Sequence, residues 1–532
     1  MTISAVQTQF HKMFEIEVDP TSGGGPSLWA SQIVAQPLFA SNMRWNDGTI
    51  KDIVLVCTMH GTVYAYDATD NCALLWAKWL GQPVLDLLDL NGNINDCKDI
   101  HGTNPEWGIL STPVIDQNRQ CVYVVMWHNE NGGTYKLHKR DLLTGDSIGE
   151  VIIAGKAPDA PYPTFDPIFQ KQRPGLLLLR PEDLPQGQQD RVGSEGTIYI
   201  GFGASIESAV FHGWVLAYDG AILTQKAIWC STPSGNQGGI WQAGAGMCAD
   251  EEGNVYVMTG NGDFGSNNFG NSFVKLSCDT LSVLSSFTPW NWSALNPVDE
   301  DLGSSGPVSI PGTSYIIGAG KEGILYSLNR SNLGGVTATA PNNIVDEVQA
   351  TYNPPNPNPD PDHHIHGAAV YFEPLSQIYL WGENDVLKAF TIDRATGRLS
   401  KTPVASSTLV APNGMPGGML SLSANDTADA IIWALLPLQV GIADENANRQ
   451  ICVDGVLRAF NAISLNEIWN SSSAADSLGH FAKFVSPTIA KGRVYAPTYD
   501  GKFVVYGLDK AMPDRFVNRT CITLGVVEPN CK

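Results

Sequence analysis

One arrangement of apolar and polar positions recurs along the chain. An apolar strand runs into a loop with Gly, Asp or Asn, and a second alternating strand follows and ends near a turn. Instances occupy 53–67, 121–141, 197–219, 254–277, 314–329, 377–391, 430–461 and 493–507. Aligned on the end of the second strand, the anchors are Asp67, Asp141, Asp219, Ser277, Asn329, Thr391, Asn461 and Gly507. The period of two inside each unit is that of strands facing a core. Most units are preceded by a further short strand, such as ILSTPVID (109–116) or GGMLSLS (417–423). Several are followed by a turn and a Trp-bearing strand, as in DATDNCALLWAKW (67–79) and NAISLNEIWN (461–470).

Four short strands, eight times over, predict an all-β protein: an eight-bladed β-propeller of four-stranded antiparallel blades with long loop insertions. A single four-stranded sheet cannot bury both its faces, whereas eight packed radially can, and closure removes the exposed edges. The expected organisation is an N-terminal extension (1–26), one propeller domain (27–510) and a C-terminal tail (511–532).

Composition agrees. Charged residues make up 16% against 43% hydrophobic, which excludes a disordered or coiled-coil chain. The 53 Gly and 33 Pro suit a turn-rich β protein. A formal charge of −21 repels phosphate backbones, so nucleic acid is not an expected partner. No stretch approaches the ~20 apolar residues of a membrane-spanning helix. The first residues show no basic region leading into an apolar run, so the chain as read carries no secretory signal. Ten cysteines contain no C-x-x-C. Cys72/Cys97 and Cys521/Cys531 flank loop segments, and either disulfides or buried thiols satisfy that placement.

Candidate chemistry lies in the loops that a propeller gathers on one face around its axis. Eight of the ten histidines map there: His60, His101, His128, His212, His363, His364, His366 and His480. His364 and His366 lie two apart on an extended entry segment, so both imidazoles can reach one ion. A third ligand would come from another blade, with His60, His101 or His480 as candidates; solvated loop histidines are the alternative. Lys321 and Glu322, Glu383 and Asp385 are the dense polar pieces, suited to acid–base work. Hairpin turns that favour Asn, Asp and Gly are the other reading, and for Asn384-Asp385 the favoured one. Trp107, Trp241 and Gln242 precede inward strands and offer a flat surface for a planar ligand, or packing between blades. Lys483 closes the loop that begins at His480. TGNGDFGSNNFGN (259–271) lacks the helix and Gly-Lys-Ser/Thr ending of a phosphate loop. The Pro-Asn run 353–362 reads as a lid or spacer, and neither G-x-S-x-G nor H-E-x-x-H occurs.

YAYDATDNCALLW (64–76) resembles the Ala-x-Asp-x-x-Thr-Gly-x-x-x-Trp docking motif of quinoprotein (PQQ-type) propellers. GILSTPVID (108–116), FHGWVLAYD (211–219), GGIWQAGAG (238–246), GAGKEGILYSLNR (318–330) and WGENDVLKAF (381–390) are similar to segments of that family. The resemblance spans roughly 27–508. It implies an oxidoreductase acting on a small organic molecule in the central funnel, with PQQ and calcium as cofactors, and an exported origin. The chain departs from methanol-dehydrogenase-like members in having no adjacent cysteines, and no motif places their Glu/Asn/Asp calcium set. The residues leave two other readings open. One is a non-catalytic binding or scaffold module; the other is a cofactor-independent or transition-metal-assisted enzyme of a biosynthetic pathway.

Overall fold

The computed structural model describes residues 1–19, 32–85, 106–158, 163–205, 210–265, 267–351, 363–438 and 453–508. Eight four-stranded antiparallel blades stand in a ring. Blade 1 is Leu38–Arg44, Ile50–Cys57, Thr62–Asp67 and Ala73–Trp79, and blade 2 is Val114–Asp116, Cys121–His128, Thr134–Asp141 and Ser147–Ile152. Blade 3 opens with Gln170–Lys171 and Leu177–Leu179, both paired to Thr197–Ala204, and continues with Trp214–Asp219 and Gln225–Cys230. Blades 4 and 5 have inner strands Cys248–Ala249 and Val308–Ser309; those of blades 6, 7 and 8 are Val370–Phe372, Met419–Ser423 and Thr488–Ala490. First strands of neighbouring blades touch around most of the ring, blade 8 against blade 1 included, so they line the axis.

Burial follows this radial order. The second strands Cys121–His128 and Ile431–Pro437 are buried along their whole length because another blade covers each face. The outermost strand of blade 2, Ser147–Ile152, alternates exposed and half-buried positions. Eight apolar clusters fill the eight inter-blade interfaces. Tyr64 and Tyr66 with Tyr495 and Phe503 join blades 1 and 8; Trp127 and Tyr135 with Phe202 and Trp214 join blades 2 and 3.

Several blades are also pinned to the next by a donor from one sheet to a turn carbonyl of its neighbour. Trp76 Nε1 donates to Leu142 O at 3.1 Å, Tyr123 Oη to Gly220 O at 2.7 Å and Tyr199 Oη to Cys278 O at 2.6 Å. The Trp76 ring lies on Gly145, whose φ of +72° and 2.5 Å clearance for a Cβ leave room for glycine alone.

The N-terminal boundary is corrected. Phe10–Glu17 pairs with Lys502–Leu508 as the outermost strand of blade 8, so this part of 1–26 belongs to the propeller. Phe10 packs on Trp433 and Trp469, with ring centroids 5.0 and 4.8 Å away. Six cysteines, Cys57, Cys72, Cys121, Cys230, Cys248 and Cys278, are buried free thiols. Cys97, Cys521, Cys531, the tail 511–532 and the Pro-Asn run lie outside the described residues. His128 is drawn away from the loop set: its Nε2 lies 2.8 Å from His138 Nε2 within blade 2.

Two predictions follow from this packing. Gly145→Ala forces a Cβ against Trp76 at positive φ and is expected to cost about 2 kcal/mol or more in urea unfolding; a loss near zero would show that the contact is dispensable. The second concerns pH. Burial pushes His128 down to about 4 and His138 to about 3, whereas an unfolded imidazole titrates near 6.5. Unfolding then takes up protons that the fold refuses, so stability is full above pH 6.5 and declines from there towards pH 4. The urea midpoint should fall over that window in the parent and fall less in His138→Leu. Equal slopes would exclude this pair as the cause.

Candidate active site

The segments that enter the first strands converge on the axis, and blade 6 brings the densest chemistry. His364 and His366 lie on its extended entry segment, and residue spacing of two turns both rings to one side. Glu383 sits in the turn after Gln377–Leu380, and its N–H donates to His364 O at 3.0 Å, which clips turn to entry segment. Gly382 permits that approach, since a Cβ there would meet Thr351 Cγ2 at 2.6 Å and His364 O at 3.1 Å. Glu383 Oε1 lies 2.7 Å from His366 Nε2 and 3.8 Å from His364 Nδ1. Glu300, from the connection between blades 4 and 5, brings Oε1 to 3.5 Å from His364 Nε2. The ligand atoms of His364, His366 and Glu383 all fall within 4.8 Å of one another.

Burial sorts the charges. His366 is enclosed and burial pushes it down to about 4, against the pull of Glu383; its ring is neutral and donates Nε2–H to the carboxylate. Burial would raise Glu383, but the hydrogen bond from His366 and the nearby charges of His364 and Lys483 hold it below the usual carboxylate range. Burial also works against the charged form of His364, yet Glu300 and Glu383 on either side raise it. The centre therefore offers a carboxylate and a neutral imidazole next to an imidazole that binds protons more readily.

Beside it Lys321 forms a second group, with Nζ 2.8 Å from Asp299 and 2.7 Å from Asp301. Burial opposes the charge on Lys321, but the two aspartates outweigh it and raise its affinity for a proton. Burial raises Asp301 and the neighbouring Asp299 adds to it. Lys321 thus holds two acids in place at the entry to blade 5.

The opposite wall is cationic. Lys171 Nζ lies 5.6 Å from the Trp107 ring centre and 5.8 Å from that of Trp241. The faces expected to receive a planar ligand hold a lysine between them. Arg173 donates to Leu110 O, Lys483 O and Phe484 O at 3.1–3.2 Å, and burial pushes it down to about 10. Lys483 Nζ sits 4.9 Å from the Phe484 ring centre, and His366 meets the same ring at 5.7 Å. A small cavity, partly open to solvent, lies on the axis, with Gly244, Ala368, Met419 and Phe484 among its walls.

The structure brings together His364, His366 and Glu383, with Glu300 completing the group, and places Lys321 in the neighbouring ion-pair group. Other expected residues stand apart. His60 Nδ1 is engaged by Glu106 at 3.0 Å and its ring stacks on Trp79, so Glu383 rather than His60 closes the histidine pair. His101 lies outside the described residues. Asp385 turns to Lys388 at 2.5 Å. Gln242 is buried and accepts from Met258 N at 3.3 Å. Glu300, Asp299, Asp301, Lys171 and Arg173 escaped the sequence reading. Their signals were the Asp-Glu-Asp run 299–301 at a blade entry and the two-residue spacing of cations before Pro174.

No protein-family model and no curated protein matches the sequence. Solved structures match in fold. Quinohemoprotein alcohol dehydrogenase from Comamonas testosteroni is 14% identical with a TM-score of 0.51, over 97% of this chain and 79% of that one. A europium-containing methanol dehydrogenase is 11% identical with a TM-score of 0.54, over 96% and 95%. Sqt1 of Saccharomyces cerevisiae is 9% identical with a TM-score of 0.51, over 94% and 100%. The class so defined is the eight-bladed propeller that quinoprotein dehydrogenases share with other propeller proteins.

Lys321→Met should expose the cost of the second group. It leaves Asp301 buried without its ammonium, and a loss of about 3–5 kcal/mol is expected. Adding Asp301→Asn should return part of it. Urea unfolding of the two variants checks this, and an unchanged midpoint in Lys321→Met would refute it.

Proposed function

We propose that this propeller is an enzyme of oxidoreductase type acting on a small organic molecule at the axial mouth. Its centre is the His364–His366–Glu383 cluster holding a divalent transition ion. One observation carries the reading: two imidazoles and a carboxylate lie within ligand distance of one another, His366 and Glu383 buried and His364 partly so. The reaction class is supported by fold neighbours that are an alcohol dehydrogenase and a methanol dehydrogenase.

The donor chemistry selects the metal. Calcium takes oxygen ligands, while mixed imidazole and carboxylate sets suit borderline transition ions. Two imidazoles at the centre of the cluster do not fit the calcium-held quinone that the family resemblance implies. The propeller fold stands; its cofactor arrangement does not carry over.

Oxidation of an alcohol removes two electrons and two protons, one proton from the hydroxyl and one leaving with the C–H electrons to the acceptor. With the ion bound, His364, His366 and Glu383 would be its ligands, and the ion would make a bound hydroxyl more acidic. Glu300, 3.5 Å from His364 Nε2, is the neighbouring carboxylate that can take up the hydroxyl proton. Phe484, packed on His366, screens the floor of the site from water. The electrons pass to an acceptor of quinone or dye class supplied from outside the chain.

Elemental analysis of gently purified protein should find close to one equivalent of a transition metal. The double variant His364→Ala/His366→Ala should lose it while still melting cooperatively, and dye-linked oxidation should disappear with it. Less than a stoichiometric amount, with no uptake of added Mn, Fe or Zn, would remove the metal. Saturable binding of PQQ with calcium, accompanied by alcohol oxidation, would instead restore the quinone reading.

A further inference from the structure

Blade 3 sends two cations into the axial channel, and neither meets a carboxylate among the described residues. Lys171 and Arg173 leave their extended entry segment on the same side, being two residues apart. Lys171 ends between the rings of Trp107, at the entry of blade 2, and Trp241, at the entry of blade 4. Arg173 reaches further. It donates to Leu110 O beside blade 2 and to the carbonyls of Lys483 and Phe484 beside blade 8. Blade 8 lies three positions round the ring from blade 3, so this side chain crosses the channel.

Among the described residues, the partners of both cations bring no negative charge. Ring faces and carbonyls attract a cation without bringing a countercharge, and burying a cation in that state costs several kcal/mol. The chain has 53 acidic residues, yet among the described residues none pairs with Lys171 or Arg173. Lys321 is comparably enclosed and receives two aspartates. Unfilled donors accumulate on the same side: Arg173 Nε and Gln242 Nε2 are buried and have no acceptor among the described residues. Lys483, a buried cation at the Phe484 ring whose charge also acts on Glu383, lies nearby.

We infer that the axial funnel binds a small organic anion through its carboxylate or phosphate groups, held by Arg173, Lys171 and Lys483 with Gln242 as a further donor. This names the charge class of the molecule acted on in the reading above, and rests on that reading only in calling it a substrate. The acidic exterior, at −21 overall, repels anions at long range; the low-dielectric funnel reverses that locally by focusing three cations on one volume. A carboxylate anchored here leaves the rest of a short molecule to extend towards His364 and Glu383 across the channel.

The test uses the full chain before and after dialysis against EDTA, with terephthalate and inorganic phosphate as probes and benzyl alcohol as the neutral control. At constant ionic strength, terephthalate or phosphate should raise the melting temperature and change tryptophan fluorescence saturably; benzyl alcohol should do neither. Whichever anion binds more tightly identifies the group recognised. Lys171→Met should weaken binding about tenfold or more while melting cooperatively, and Arg173→Met likewise. Lys136→Met, at a surface ion pair, should bind as the parent does. Silence with both anions, or parental affinity in Lys171→Met, would overturn the inference. Anion binding that persists in metal-free protein, in a chain that never takes up a metal, would refute the proposed metal centre and leave this site standing.

Discussion

Everything in this fold depends on one repeated contact, in which a side chain of one blade donates to a carbonyl in the outer turn of the next. Trp76 to Leu142, Tyr123 to Gly220, Tyr199 to Cys278 and Tyr379 to Ala462 are all of this kind. Each sets the angle between two sheets at their outer edge, while apolar clusters fill the wedge inside. A blade by itself has two bare faces; joined to two others, it has none. The Phe10–Glu17 strand completes the argument, because the last blade takes its outermost strand from the beginning of the chain and the ring is closed by hydrogen bonds as well as packing.

Closure explains why the chemistry gathers where it does. With the second and third strands consumed by inter-blade packing, only the entry segments and the turns of one face are free of that duty. Residues from blades 2, 3, 4, 6 and 8 then meet across a narrow axis although long stretches of chain separate them. The same rigidity makes charge burial tolerable. Lys321 is held with Asp299 and Asp301, and Glu383 with His366, at spacings a flexible loop would not maintain.

The fold was legible because its signal is local. Anchors read at Asp67, Asp141, Asp219, Asn329, Thr391 and Asn461 are the last residues of the third strands, since alternating apolar pairs and their turns need no knowledge of partners. The strand at Phe10–Glu17 was not, because its identity as a blade edge depends on pairing with the far end of the chain. The site was legible in part. His364 and His366 follow from strand periodicity and Glu383 from its turn, but their convergence depends on how the turn is clipped to the entry segment. Glu300, Lys171 and Arg173 are ordinary charged residues in sequence. They become informative only when the structure shows which of them have partners.

That distinction bears on what the funnel recognises. The wall formed by blades 5 and 6 is self-sufficient: its lysine has acids, and its acids have a lysine or an imidazole. The wall formed by blades 3 and 8 is not, since Lys171 and Arg173 rest against rings and carbonyls. A propeller selected only for stability would be expected to pair or replace such buried cations, as apolar residues of similar volume cost less. Keeping them makes physical sense if another molecule supplies the missing negative charge. The asymmetry also gives that molecule a direction, its acidic end towards blade 3 and its reactive end towards the imidazoles. Binding and chemistry would then fall to opposite sides of one axis, with the orientation set by charge before any specific contact forms.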